Sequence, residues 1–74
     1  MAENRGIGPR IAEARHAAGL TQLQLAERTG STQRAVQSWE LGLRHPRLEN
    51  LRALAAALEQ DVSWFYADEP KAAA

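Results

Sequence analysis

Gly19, Gly30 and Gly42 punctuate this chain, and two residues after the first and second of them stands a threonine, Thr21 and Thr32. Glycine ends helices readily because it enters the left-handed conformation without a steric penalty, while a threonine hydroxyl accepts from the amides that a helix start leaves unpaired. Stop and start signals this close together allow only short helices. Short helices are marginal alone in water, so their apolar faces must be buried against one another.

The apolar spacing between these signals is helical throughout, with no β-branched alternation of period two, and predicts an all-α fold. A first helix starts near Ile7-Gly8-Pro9, where proline is tolerated, and runs through Ile11, Ala14 and Ala18 to Gly19, after which Leu20 turns back into the core. Thr21-Gln22-Leu23-Gln24 has the form of a capping box that opens a second helix ending before Gly30. Ser31 or Thr32 caps a third, Gln33 to about Leu41, with Val36 and Trp39 on its apolar face. The linker from Leu43 to Arg47 leads into a fourth, whose Leu48, Leu51, Leu54, Ala55 and Leu58 mark a core-facing side. Asp61 is placed to cap a final turn, Val62 to Tyr66, with Val62 and Phe65 in the core. The expected organisation is a flexible N-terminus over 1–6, one domain over 7–66 and a flexible tail over 67–74.

Composition narrows the function. Seventy-four residues hold one small domain. With no cysteine there is neither a disulfide framework nor a thiolate metal site. The apolar run between Arg52 and Glu59 is far too short for a membrane span or a signal core, so a soluble cytoplasmic protein without membrane partners is expected. No carboxylate pair, activated nucleophile, metal cluster or phosphate loop can be assembled, and His16 and His45 are isolated; neither an enzyme, a metal nor a cofactor is expected. Net charge is zero but unevenly placed: residues 1–52 carry eight arginines against five glutamates, and residues 53–74 one lysine against four acidic residues. A basic face for phosphates and simple solvation of helix surfaces are both compatible with that asymmetry.

Two short helices joined through Gly30-Ser31 meet the demands of a helix-turn-helix. Ala26 is small enough for a close crossing, and the third helix opposes its apolar residues with Gln33, Arg34, Gln37 and Ser38, a polar face able to enter a major groove. The runs Ala18-Gly19-Leu20-Thr21-Gln22, Leu25-Ala26-Glu27-Arg28 and Thr32 to Glu40, followed by Pro46 to Leu51 and Asp61 to Tyr66, resemble the Xre-type helix-turn-helix family, which includes the lambda-type repressors and Cro proteins. The resemblance covers about residues 7 to 66. It implies a five-helix, lambda-repressor-like domain that binds double-stranded DNA.

Carried over residue by residue, the resemblance implies that Gln22 bonds a phosphate and braces the recognition helix. It makes Gln33 a partner for adenine, and Arg34 a partner for guanine or a phosphate. Gln37 and Ser38 reach base edges or backbone, and Ser31, Thr32 and Arg44 contact phosphates. Arg15 and Glu40 match positions that often form an ion pair. The sequence departs from the pattern at Thr29 and Ser31, which stand where apolar residues are usual and suggest a looser turn. Leu41 replaces a frequent phosphate contact, Leu43 adds a second exposed leucine, Leu23 takes a normally polar position, Arg47 replaces a hydroxyl cap, and Gln60 replaces an apolar residue. Trp64 and Tyr66 are candidates for a dimer or partner interface, or else cover the bottom of the monomer core. The function these readings imply is a sequence-specific, repressor-like regulator acting as a homodimer on a roughly palindromic operator. The alternatives are a protein-interaction module such as an antitoxin, and the N-terminal DNA-binding part of a longer regulator.

Overall fold

Four α-helices and one 3₁₀ turn account for the computed structural model, which describes residues 6–66: α1 Gly8–Ala17, α2 Gln22–Thr29, α3 Gln33–Leu41, α4 Leu48–Leu58, and the 3₁₀ turn Val62–Tyr66. The expectations for residues 1–5 and 67–74 lie outside the described residues. The helix boundaries follow the capping chemistry. Thr21 Oγ1 accepts from the Gln24 amide at 3.0 Å while the Thr21 amide donates to Gln24 Oε1 at 2.8 Å, a complete capping box. Thr32 Oγ1 accepts from the Ala35 amide at 3.0 Å and so is the cap of α3. Such caps contribute about 1 kcal/mol each. α4 begins at Arg47 with no side-chain cap and ends at Glu59, whose φ of 59° makes it the one non-glycine residue with positive φ among those described. The final turn is closed through backbone, the Trp64 amide donating to the Asp61 carbonyl at 2.9 Å.

Each element contributes one fully buried side chain to a common centre: Ile11 from α1, Leu25 from α2, Val36 from α3, Leu54 from α4 and Phe65 from the 3₁₀ turn. Ile7, Leu20, Trp39, Leu51 and Leu58 surround them. Trp39 is therefore core, as its spacing from Val36 predicts. Leu48 is not: it heads the apolar stripe of α4 in the sequence but is 58% exposed, because the first residue of the helix projects past the end of the bundle. Phe65 lets a single turn close the core, and Arg10 fastens that turn to α1. The Arg10 guanidinium donates from Nη2 and Nε to the Trp64 carbonyl at 2.8 and 3.2 Å and lies 3.8 Å from the centroid of the Trp64 ring.

α1 crosses the end of α3. A Cβ added at Gly8 would stand 2.5 Å from the Glu40 carbonyl oxygen and 2.6 Å from that of Trp39, so the start of α1 sits flush on the terminal carbonyls of α3. The partial charges at the two helix ends are opposite, which favours the contact. Beside it lies the polar tie of the fold. Arg15 donates from Nε to Glu40 Oε2 at 2.6 Å and from Nη2 to Oε1 at 3.1 Å, while its Nη1 donates to the Leu20 carbonyl at 3.0 Å. Gln22 Nε2 donates to the same Glu40 Oε1 at 3.0 Å. One carboxylate on α3 thus joins α1 and α2. The Glu40 hydrogen bond raises the Arg15 pKa above the ordinary arginine range, outweighing burial, which lowers it. A raised folded pKa stabilises fully below the unfolded value and loses its effect only as pH rises through the folded one, so this contribution is constant across neutral pH.

Two outcomes follow for equilibrium urea unfolding. Gly8→Ala destabilises the domain by about 2–3 kcal/mol, since backbone carbonyls cannot yield to a new methyl group without displacing α1. Glu40→Ala costs about 3 kcal/mol because it strands a buried guanidinium, whereas the double variant Arg15→Met, Glu40→Leu loses much less than the sum of its single changes.

Candidate nucleic-acid interface

α2 and α3 are set at a fixed relation by the turn between them. Gly30 holds φ at 70°, and the amide of Ser31 reaches back to the Ala26 carbonyl at 2.8 Å, while buried Ala26 lets the helices approach. The hydroxyls that the sequence places here are hydrogen-bonded within the turn. Thr29 Oγ1 donates to the Leu25 carbonyl at 2.9 Å, and the Ser31 hydroxyl lies 2.9 Å from Thr29 Oγ1. Thr29 has one hydroxyl hydrogen, spent on the carbonyl, so Ser31 is the donor between the two hydroxyls. Both donors of Ser31 are thereby engaged within the turn, and a phosphate at this residue has to displace the Thr29 bond.

At 100° per residue, α3 turns Val36 and Trp39 inward and Gln33, Arg34, Gln37, Ser38 and Leu41 outward. Gln33, Arg34 and Gln37 are exposed and Ser38 is half-buried. The Ser38 carbonyl accepts from the amides of Leu43 at 2.9 Å and Arg44 at 3.3 Å, closing the C-terminal end of the helix and holding the backbone of the exposed Arg44 beside it. At the other end, the Thr32 hydroxyl keeps its hydrogen for an outside acceptor while capping α3. Gln22 is half-buried, its amide turned toward the last turn of α3 by Glu40 with one N–H and the carbonyl oxygen unspent. The structure therefore brings Gln22, Thr32, Gln33, Arg34, Gln37 and Ser38 onto the helix-turn-helix, and Arg44 to the loop that follows it.

Among the described residues, Arg28, Arg34, Arg44, Arg47 and Arg52 are exposed with no carboxylate within ion-pair distance, whereas Arg10 and Arg15 are held by Glu13 at 3.7 Å and Glu40 at 2.6 Å. Helix-surface solvation by paired charges would look different: the described glutamates of the basic half, Glu13, Glu27, Glu40 and Glu49, form no ion pair with these side chains. Arg47 was legible in the sequence only as a missing cap, but its place at the start of α4, beside Arg44, adds a cation to the same loop. Trp64 and Tyr66, on the 3₁₀ turn, are half-buried. Trp64 has one ring face under Arg10 and packs edge-on against Phe65 at 5.3 Å, and the Tyr66 hydroxyl is 3.5 Å from His45 Nε2. Among the described residues no group of three or more His, Cys, Asp or Glu is placed to hold a metal, and no helix is long and apolar enough to cross a membrane.

Residues 11–65 match the helix-turn-helix family model. No curated protein sequence matches the chain. Among solved structures it resembles the P22 c2 repressor in complex with a synthetic operator, with 29% identity, a TM-score of 0.80, and coverage of 84% of this chain and 94% of that one. It resembles SinR, the master regulator for biofilm formation, solved with DNA, at 30% identity and a TM-score of 0.76 over 80% of this chain and 95% of that one. It also resembles Bacillus thuringiensis PlcR in complex with the peptide PapR7 and DNA, at 30% identity and a TM-score of 0.80, covering 95% of this chain but only 25% of that one. The chain therefore belongs to the helix-turn-helix family, with the fold of the lambda-, Cro- and Xre-type repressor domains.

Proposed function

We propose that the chain is a sequence-specific DNA-binding domain of a transcriptional regulator, acting in the cytoplasm as a homodimer that occupies a roughly palindromic operator and blocks transcription. The observation that carries this reading is the outer face of α3. Gln33, Arg34 and Gln37 stand exposed on a helix whose other side is anchored by Val36, Trp39 and Glu40, so their hydrogen-bonding groups are available and their placement is set by the core. P22 c2 repressor, SinR and PlcR, solved with operator or DNA, support the same use of the fold here.

Each residue has a role that suits its chemistry. The Gln33 amide presents a donor and an acceptor side by side, matching adenine N6 and N7. The Arg34 fork fits guanine O6 and N7, or clamps a phosphate. Gln37 and the half-buried Ser38 reach base edges or backbone one turn further on. Gln22, Thr32 and Arg44 hold phosphates with the N-terminal amides of α2 and α3, and Ser31 joins them where a phosphate outcompetes Thr29. The exposed arginines supply the salt-sensitive part of the affinity.

Variant affinities on the preferred duplex and on duplexes with single base changes separate these roles. Arg34→Ala weakens binding by about 1–3 kcal/mol and relaxes the preference at one base pair, while Arg44→Ala weakens all duplexes alike and lowers the salt dependence by about one counterion. A uniform loss for Arg34→Ala makes it a phosphate contact, and unchanged binding by both variants removes α3 and its loop from the interface.

A further inference from the structure

The loop between α3 and α4 carries a titratable group that the interface above does not use. His45 is exposed, follows Arg44 directly, and lines with it an open cavity of about 470 Å³ between the start of α1 and the last turn of α3. That volume far exceeds the ~30 Å³ of a water molecule in the liquid, and it admits a tetrahedral phosphate. Buried Pro46 anchors the backbone of the loop, and the Tyr66 hydroxyl lies 3.5 Å from His45 Nε2. A phenol can donate to a neutral imidazole or accept from a charged one, so this neighbour suits the ring in either protonation state.

We propose that His45 contacts a DNA backbone phosphate beside Arg44 and does so as the imidazolium, so that affinity for DNA is coupled to pH; the inference rests on the DNA-binding reading above.

The surroundings select an anion and set the sign. The charged and titratable groups around His45 are Arg44 and Arg47 in its own loop, Glu40 across the cavity on α3, and Tyr66 on the 3₁₀ turn. Beyond them, Arg10 of α1 lies over Trp64, and exposed Glu49 and Arg52 follow on α4. Among the described residues Glu40 is the one carboxylate that lines the cavity, and its oxygens are engaged by Arg15 and Gln22. What the cavity offers an incoming group is therefore cationic. Cations beside an imidazole disfavour its charged form, whereas a phosphate favours it. A phosphate held by Arg44 thus draws a proton onto the neighbouring ring, and DNA binding and protonation strengthen each other reciprocally. Affinity is highest at acid pH, where an imidazole is charged with or without DNA. It falls as pH rises through the range in which the complexed imidazolium gives up its proton.

The test measures the affinity of the full chain for its selected duplex between pH 5.5 and 8 at fixed ionic strength. His45→Gln is compared with His16→Gln, which alters the other histidine, exposed in the last turn of α1. Calorimetry in two buffers of different ionisation enthalpy counts the protons taken up on binding. Expected for the wild type are a fall in affinity of about 5- to 10-fold from pH 6 to pH 8, a salt dependence steeper at pH 6 by up to about one counterion, and net proton uptake near neutral pH. His45→Gln abolishes all three while keeping the wild-type affinity at pH 8 within about two-fold, and His16→Gln abolishes none. A flat affinity across this range overturns the inference and leaves the DNA-binding reading intact. The same holds for a pH dependence that survives in His45→Gln or disappears in His16→Gln. Failure of the wild type to prefer any duplex sequence at any pH overturns the DNA-binding reading, and this inference with it.

Discussion

The carboxylate of Glu40 is the point on which the geometry of this domain turns. It receives two bonds from Arg15 on α1 and one from Gln22 on α2, while belonging to α3, the helix that must be aimed. Hydrophobic contacts are non-directional, and Val36 and Trp39 alone leave α3 some freedom to roll or slide against the core. A bidentate arginine–carboxylate pair does not, because the planar fork fits one orientation. The pair is largely shielded from water, with side-chain exposures of 11% and 7%, and the third arginine donor is spent on the Leu20 carbonyl. Its value is orientation more than net stability, since burying two charges costs about as much as their attraction returns.

Aiming matters because the outward residues of α3 read by geometry. An amide or guanidinium recognises a base edge only when both of its bonds form together, and that requires the helix to be placed to within a fraction of an ångström by groups that never touch the ligand. The contact of Gly8 with the Trp39 and Glu40 carbonyls sets how far α3 can move along its axis, and the capping box and Thr32 fix where each helix begins. The 3₁₀ turn completes the enclosure from the far end by inserting Phe65, with Arg10 as its fastening.

Much of this was legible in the sequence because short-range chemistry governs it. Thr21 with Gln24, Thr32, and the glycines after α1, α2 and α3 act within a few residues, and the helices they delimit have the expected bounds. The Arg15–Glu40 pair came from the resemblance, since a separation of 25 positions carries no local signal. The bond of Gln22 to Glu40, the stacking of Arg10 on Trp64 and the need for glycine at position 8 were not legible, because each depends on elements far apart in the chain. Periodicity misled at Leu48, where the helical stripe runs past the end of the core. It was silent at Glu59, which ends α4 in a left-handed conformation without the glycine that usually announces it. At Thr29 and Ser31, where the family pattern has apolar residues, the two hydroxyls and the Leu25 carbonyl hydrogen-bond to one another, a pairing the sequence did not announce.

The central claim is that α3 reads a base sequence and does not merely attract phosphates. Selection of duplexes from a random-sequence library by the full chain, at low and at near-physiological salt, tests it most directly. The account predicts an inverted-repeat motif with half-sites about one helical turn, ~34 Å, apart that persists at the higher salt. Recovery of no motif, or binding that vanishes as salt rises, would contradict it and reduce the exposed arginines to a nonspecific polyanion surface.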